Sequence, residues 1–498
     1  MPRALAAAAS LVLLLATTVA LQAQTLRIGL NNDPDGLDPG FSRTFVGTVV
    51  LTGLCDKLVD FDRNLNIVPG LASSYEWTDS KTILFHIRPG VLFQDGTKLD
   101  AAAVKYTLDR DLNAPGSFRR SEVGAMDHAE VVDPLTVRVV LKQPSSPFVA
   151  ALTDRAGMIV SPKAAEAEGK DFPLHPVCAG PFKFRERVAQ DHITLDKFKR
   201  YWNAAAVHFD QVIYRPMTDS SVRLANLQAG AVDLADIVPT DVNTVKRNPA
   251  LEISTSNGLG YAALTVNLAA DTPLGRDPRI RRAIDLAIDR TALIQVVYNG
   301  MYTPDAQATA ASSPMYVPGV VPPKRDVAAA HALLVAAGVP LPLHIALTVA
   351  NNPQSLQVAE VLQSMLRDAG IELSVNAMDF GTSLAVIQRG DYAMALGGWS
   401  GLLDPDSNLW SFLHSGGPLN VSHYANPKAD DALDRARLTT DVAKRRAAYA
   451  DLWQQERQDL PLIYMWTPAY IYGLNKKLTG FHTYPDGLLR LQGVSLAK

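Results

Sequence analysis

The sequence predicts a mixed α/β protein with two or more lobes. Three observations carry that expectation. The chain has 498 residues, whereas a single hydrophobic core stops growing near about 250–300 residues. Apolar residues make up 47% and charged residues 19%, with 32 Gly and 32 Pro; this is globular usage and argues against long disorder or a collagen-like repeat. Strand-period and helix-period segments interleave along the whole length, with no fixed-period repeat.

The elements follow in order. Leu26-Arg27-Ile28-Gly29-Leu30 alternates as a strand, and the turn-rich NNDPDGLDPGFSRT follows. Residues 82–87, 137–141 and 193–198 read as further strands. Asp100 is placed to accept a bond from a free first-turn N–H, capping a helix through Ala103, Val104, Thr107 and Leu108. Asp219 caps a helix carrying Val222, Leu224 and Leu227 that stops at Gly230, and 232–235 return as a strand. In the second half, Asp277 is a cap and Pro278 occupies the first helical position. Ile280, Ala283, Ile284, Ala287 and Ile288 then form one apolar stripe, with Asn299-Gly300 expected to end the helix. Leu343, Ile345, Leu347 and Val349 alternate as a strand. Asn352-Pro353 opens a helix with Leu356, Ala359, Leu362 and Leu366 on one face, Gly370 stops it, and Ile371, Leu373 and Val375 alternate again. Strand, helix and strand in about thirty residues make a right-handed parallel βαβ unit. Residues 392–396 read as a strand running into Gly397-Gly398-Trp399. Ligands of open α/β sheets bind beyond the carboxyl ends of the strands, so the loop after Leu396 is the first candidate site.

The N-terminus reads as an export signal. Arg3 is followed by an apolar stretch from Ala4 to Ala20, broken only by Ser10, Thr17 and Thr18, and then by Leu21-Gln22-Ala23. Cleavage is expected after Ala23. The alternative, an anchoring helix, has one weak flanking charge and no second span. Lys and Arg number 47 against 50 Asp and Glu, so no basic excess suggests a nucleic-acid partner. The two cysteines, Cys55 and Cys178, both follow the signal. An oxidising compartment permits a disulfide between them; two buried free thiols are the alternative.

Motifs for catalysis are missing. The sequence has no HExxH, no GK[ST] phosphate loop and no GxGxxG after a strand. GGWSGLL is not a GxSxG nucleophile elbow, because Leu402 stands at the last glycine position. Ten His are scattered with no i, i+4 pair, and neither Cys belongs to a CxxC, so no metal or other cofactor is expected. Asp404 and Asp406 could pose as acid and base, but DPD is also an ordinary turn.

PGLASSYEW and FHIRPGVLFQDGTKLDAAAVKYTLD, followed by HPVCAGPFKF, YWNAAAVHFDQVIYRPMTDSSVRLANLQAGAVDL, DPRIRRAIDLAIDRTALIQVVYNG and GGWSGLLDPDS, resemble in the same order the signature segments of family 5 extracellular solute-binding proteins. These are the binding components of dipeptide, oligopeptide and nickel ABC importers. The resemblance implies a two-lobe periplasmic binding protein fold (class II, the Venus-flytrap type) with an extra subdomain in the first lobe. Residues 24–258 would form lobe I and 259–471 lobe II, with 472–498 returning to lobe I. Asn257-Gly258-Leu259-Gly260 and Tyr470-Ile471-Tyr472-Gly473 would form the two hinge strands. A small-molecule or peptide-like solute would be trapped between the lobes and passed to an inner-membrane ABC permease by a monomeric periplasmic receptor.

Family position suggests Ser42, Arg43 and Thr44 as ligand contacts on the first lobe. On the second it suggests Tyr261, Asn267, Gly398 and Trp399, with Asp404, although Asp404 in a DPD turn is expected to cap or brace its own loop rather than touch ligand. Arg43 would pair a ligand anion; Trp399 would offer an apolar plate and one N–H donor. Two departures matter. Peptide-binding members carry an Asp three residues after the cleft Trp to meet the α-ammonium, and here that position is Leu402. Dipeptide binders carry an Arg early in the helix after the NP turn to meet the carboxylate, and here Leu356 and Gln357 stand nearby. Simple peptides are therefore expected to bind poorly, since a buried ammonium without a counter-charge is costly. A secreted hydrolase using the same cleft and a periplasmic chaperone-like binder are the competing readings. The exported protein is expected to begin at Gln24. N-terminal sequencing of periplasmic material checks this, and Met1 on a membrane-bound product would refute it.

Overall fold

The structure, a computed structural model, describes residues 24–497; the segment read as a signal peptide and its cleavage site lie outside them. Three sheets organise the chain. A seven-stranded sheet runs in the order Leu251–Asn257, Ala469–Asn475, Leu234–Asp236, Thr25–Leu30, Gln211–Pro216, His192–Lys197, Phe182–Val188. A six-stranded sheet runs Thr303–Pro304, Leu462–Thr467, Tyr261–Val266, Met394–Trp399, Leu343–Ala350, Ile371–Met378. A four-stranded antiparallel sheet, Ala72–Asp79, Thr82–Ile87, Thr136–Leu141 and Met126–Asp133, forms an extra body within the first half. Each has its own core: Leu26, Ile28, Tyr214 and Leu234 in the first, Leu264, Ile284, Leu347 and Leu362 in the second, Phe85, Val104 and Val139 in the third.

Local chemistry explains most elements. Thr25–Leu30 pairs in parallel with neighbours on both sides; Leu26 and Ile28 are fully buried on one face, while Arg27 on the other is exposed. Asp100 accepts the Ala103 N–H at 3.1 Å and Asn352 that of Ser355 at 2.9 Å, each satisfying an orphan donor of its helix. Leu343–Ala350 and Ile371–Met378 are parallel, and the intervening Pro353–Arg367 helix buries Val358, Ala359, Leu362 and Leu366.

Three local expectations are corrected. The helix opened by Asp277 ends at Ala287; Ile288 is extended, and Asp289 caps a second helix, Arg290–Tyr298, by accepting the Ala292 N–H at 2.9 Å. Asn299, left-handed with φ 50°, closes that second helix. In the Ser220–Gln228 helix Val222 faces out and Arg223 faces in, because the guanidinium satisfies the carbonyls of Met217 and Asp236. The strand expected to stop at Leu396 continues to Trp399, which pairs opposite Tyr261.

The chain crosses from the first sheet to the second between Asn257 and Tyr261 and returns between Thr467 and Ala469. The return is thus made at Pro468, and Tyr470, Ile471, Tyr472 and Gly473 already lie inside the first sheet. The Gly258 N–H donates to the Pro468 carbonyl at 2.8 Å, so the crossings lie side by side.

Cys55 and Cys178 are joined in a disulfide that closes a loop of 123 residues and ties the end of the Phe45–Leu54 helix to the segment before Phe182–Val188. Linking such distant residues removes unfolded-state entropy. Breaking it is expected to cost about 2–5 kcal/mol. Urea unfolding of the Cys55→Ala, Cys178→Ala double variant against the oxidised protein checks this; equal midpoints would refute it.

Candidate functional site

The loop before the Phe45–Leu54 helix builds one wall of the cleft. Asp35 gathers it: its carboxylate accepts from Ser42 Oγ (2.9 Å), the Arg43 N–H (2.6 Å) and Thr44 Oγ1 (2.7 Å). Partial burial opposes ionisation of Asp35, but these hydrogen bonds outweigh it and hold the carboxyl below its usual range. Thr44 caps the helix by accepting the Gly47 N–H at 3.1 Å. The Ser42 carbonyl in turn accepts from Arg155 Nη1 at 3.0 Å and Arg119 Nη2 at 3.4 Å. Arg155 is buried, 7% exposed. Burial, aided by the neighbouring Arg119 charge, draws its guanidinium pKa down, against Asp154, Glu122 and Asp35.

The opposite wall is the end of Met394–Trp399 and the turn after it. Asn408, 2% exposed, organises this turn. Its Oδ1 accepts from the Trp399 indole (3.0 Å) and the Leu402 N–H (2.9 Å), and its Nδ2 donates to the Leu402 and Leu259 carbonyls. Gly401 is left-handed, φ 84°, and a Cβ there or on Gly260 would overlap backbone across the crossing. The turn is therefore packed directly on the outgoing crossing strand. On the returning strand, Tyr470 stacks on Phe45 (centroids 5.2 Å apart) and donates to the Ser400 carbonyl at 3.1 Å.

Between these walls lies a small cleft, partly open to solvent. The first-lobe side supplies Arg43, Phe45, Thr48, Phe61, Thr153, Asp154, Arg155, Asp486 and Leu488; the second supplies Trp399, Ser400, Gly401, Leu402 and Leu403. Asp486 is already taken by Arg490 through two bonds of 2.9 Å. The charges left facing the space are Arg43, Arg155 and Asp154, an excess of one positive. Among the described residues, no group of three or more His, Cys, Asp or Glu is arranged to hold a metal ion.

Of the residues expected from sequence, Arg43 and Trp399 line the cavity. Arg43 is exposed and lies over the Phe118 ring, 4.8 Å from its centroid. Trp399 presents its ring, but its N–H is occupied by Asn408. Ser42 and Thr44 are spent on the Asp35 knot and the helix cap behind the wall. Gly398 pairs with Ala262 within the sheet, outside the lining. Tyr261 is buried edge-on against Phe412 and Tyr464. Asn267 stands beyond the far end of its strand, donating to the Gly390 and Tyr392 carbonyls. Asp404 caps the Pro405–Leu413 helix and is gripped by Arg445 at 2.6 and 2.8 Å. Asp406 is held by Arg437 at 2.8 Å, so each carboxylate of the DPD turn has its own arginine. Sequence reading missed Arg155 and Asp154. Their signal was a charged pair inside the otherwise apolar VAALTDRAGMIV, where burial is costly unless the charges are used.

The lobes also meet on a face remote in sequence from both crossings. Ser146, after the four-stranded sheet, donates its N–H to the Arg437 carbonyl at 2.9 Å, and its Oγ to the Arg437 and Ala436 carbonyls at 3.2 and 3.4 Å. These are the last carbonyls of the Pro427–Arg437 helix, which have no intrahelical partner. Two α/β lobes, two adjacent crossings and a charged cavity between them define a two-lobed binding protein.

Comparison with known proteins agrees. The sequence profile of "Bacterial extracellular solute-binding proteins, family 5 Middle" matches residues 66–420. The glutathione-binding protein GsiB of Pectobacterium atrosepticum is 31% identical, over 93% of this chain and 92% of its own. That of Salmonella typhimurium is 30% identical, over 94% and 93%. AgaA of A. tumefaciens R10, solved with agropinic acid, superposes with a TM-score of 0.86 at 28% identity, covering 95% of this chain and 99% of its own. The periplasmic binding protein DppA of Helicobacter pylori, solved with the peptide STSA, superposes with a TM-score of 0.86 at 25% identity, over 95% and 98%. This chain belongs to the family 5 bacterial extracellular solute-binding proteins, and it is a solute-binding component of the kind that serves ABC importers. No helix among the described residues is long and apolar enough to cross a membrane.

Ser146 is not among the residues lining the cavity, so its substitution is expected to act through the contact between the lobes. Ser146→Ala is expected to weaken every solute by the same factor, about 2–10-fold, the value of a hydrogen bond of about 0.5–1.5 kcal/mol. Calorimetric titration of two unrelated solutes checks this; an effect on only one would refute it.

Proposed function

We propose that this protein is a monomeric, non-enzymatic periplasmic receptor that captures a small anionic, peptide-like solute between its lobes and delivers it to an inner-membrane permease. Lobe I and lobe II would divide near Gly258 and Pro468, and the export signal would end at Ala23. The observation that carries the reading is the charge of the lining, where Arg43 and Arg155 stand against one carboxylate not taken by another arginine of the wall, Asp154. A solute carboxylate would be drawn to these two guanidiniums, with Arg43 adding long-range attraction from the exposed rim. Trp399, Leu402 and Leu403 would take the apolar part of the solute. The turn carrying these residues packs on the outgoing crossing, so a solute touching both walls favours the closed form.

The relatives support the solute class. Two curated relatives are glutathione-binding proteins, and AgaA was solved with agropinic acid. Glutathione has two carboxylates and one ammonium, a net charge of minus one that matches the excess positive charge of the cavity wall. Leu402 leaves no acid on the second-lobe wall for the ammonium of an ordinary α-peptide.

Titration calorimetry with glutathione and a mixed α-dipeptide set tests the reading. Glutathione is expected to bind, and α-dipeptides to bind weaker by about 10–100-fold, the loss of one charged hydrogen bond. Arg155→Gln is expected to weaken glutathione by a similar factor. Submicromolar binding of α-dipeptides, or an Arg155→Gln protein with unchanged glutathione affinity, would overturn it.

A further inference from the structure

A second pocket, within lobe II, shares no lining residue with the solute cleft. It is small and partly open to solvent. The Pro278–Ala287 helix supplies Arg282 and Asp285, and the next helix opens with Arg290. The Val442–Asp459 helix supplies Glu456 and Arg457, and the Leu462–Thr467 strand supplies Tyr464. Three guanidiniums thus share the lining with two carboxyls.

Asp285 serves two of the guanidiniums. Its Oδ1 accepts from Arg290 Nη2 at 2.5 Å and its Oδ2 from Arg282 Nη1 at 2.8 Å. Arg290 spends its other donors on the Asp285 and Tyr464 carbonyls, at 3.3 and 2.8 Å. Glu456 is buried, and its Oε1 has no hydrogen-bond partner in the protein. Burial, with the Asp285 and Asp459 charges, pushes its carboxyl well above the usual range, against Arg457 and Arg282. Among the described residues, no carboxylate or carbonyl holds the half-buried Arg457 side chain. With Glu456 neutral the lining has three cations and one anion, and with Glu456 ionised it would still have one cation in excess. Positive charge in a partly desolvated wall is costly unless a counter-charge meets it.

We propose that this pocket is a binding site for a small inorganic anion, a halide or an oxyanion, held by the remaining N–H groups of Arg282 and by Arg457. A guanidinium presents several donors in one plane and suits either class. The anion would join the Val442–Asp459 helix to the Pro278–Ala287 helix beside the strand that runs on to Thr467 and the return crossing. It would brace lobe II without touching the solute.

Thermal melts of the full mature protein in sodium chloride, sodium phosphate and sodium gluconate at equal ionic strength test the site, gluconate being the bulky control. A midpoint higher by about 2–4 °C in chloride or phosphate than in gluconate is expected, saturating with concentration as binding does. A rise in chloride assigns a halide site, and a rise confined to phosphate assigns an oxyanion site. Phosphate also stabilises proteins by exclusion from their surfaces, so the rise that counts is the part lost in Arg457→Gln. Glu456→Gln, which removes the carboxyl charge and keeps the shape, is expected to retain it. Equal midpoints in the three salts, or an Arg457→Gln protein that keeps the whole rise, would overturn the assignment. Loss of the rise in Glu456→Gln would overturn it too, since removing a negative charge does not weaken an anion site.

Discussion

The hydrogen bond from the Gly258 N–H to the Pro468 carbonyl holds the two crossings between the lobes side by side, and the cleft depends on that adjacency. Two lobes joined at one narrow place can rotate about it with few backbone changes. The same adjacency puts the second-lobe turn, Trp399 to Leu403, directly on the outgoing strand, because glycines at 260 and 401 let the backbones approach. Tyr470 on the returning strand bonds to Ser400 of that turn and stacks on Phe45 of the first wall. Contact with solute and orientation of the lobes are thus coupled through a few packed groups rather than over a distance.

The two walls are built by different economies. The first is ionic. Asp35 fixes the Ser42–Thr44 loop, the loop presents the Ser42 carbonyl, and that carbonyl orients Arg155 from behind while its Nε remains free. The second is a neutral turn in which the carboxamide of Asn408 satisfies Trp399 and Leu402, and Arg445 and Arg437 neutralise the two aspartates of the adjoining helix start. Burial pushes the Asp406 carboxyl up and the Arg437 ion pair opposes it, a balance suited to bracing a turn. Far from the crossings, Ser146 gives the closed form a contact that needs no solute. The opening equilibrium can therefore be adjusted without altering recognition.

Sequence by itself determined the elements whose signals are local. The caps Asp100, Asp277 and Asn352 act through N–H groups two or three residues away, and the 343–375 βαβ unit follows from its two periodicities. Ordered motifs along the chain were enough to assign the family. Arg43 and Trp399 line the cavity because they stand just before the Phe45–Leu54 helix and at the end of the Met394–Trp399 strand. The register of a side chain on a known element was harder: Arg223 turned inward because carbonyls of Met217 and Asp236, from other segments, awaited a donor. The remaining features were decided only by tertiary structure. Ser42 and Thr44 look like ligand groups in a linear reading, yet Asp35 consumes them; Asp404 caps its helix, and the arginine that holds it, Arg445, comes from another helix. Asp154 and Arg155 look like an ordinary charged pair, yet the fold buries them in a shared wall and leaves one atom of each unmet. Whether a polar group serves the scaffold or the solute depends on which partners the fold delivers to it, and those partners lie outside its own element, from 7 residues away for Ser42 and Asp35 to 41 for Asp404 and Arg445.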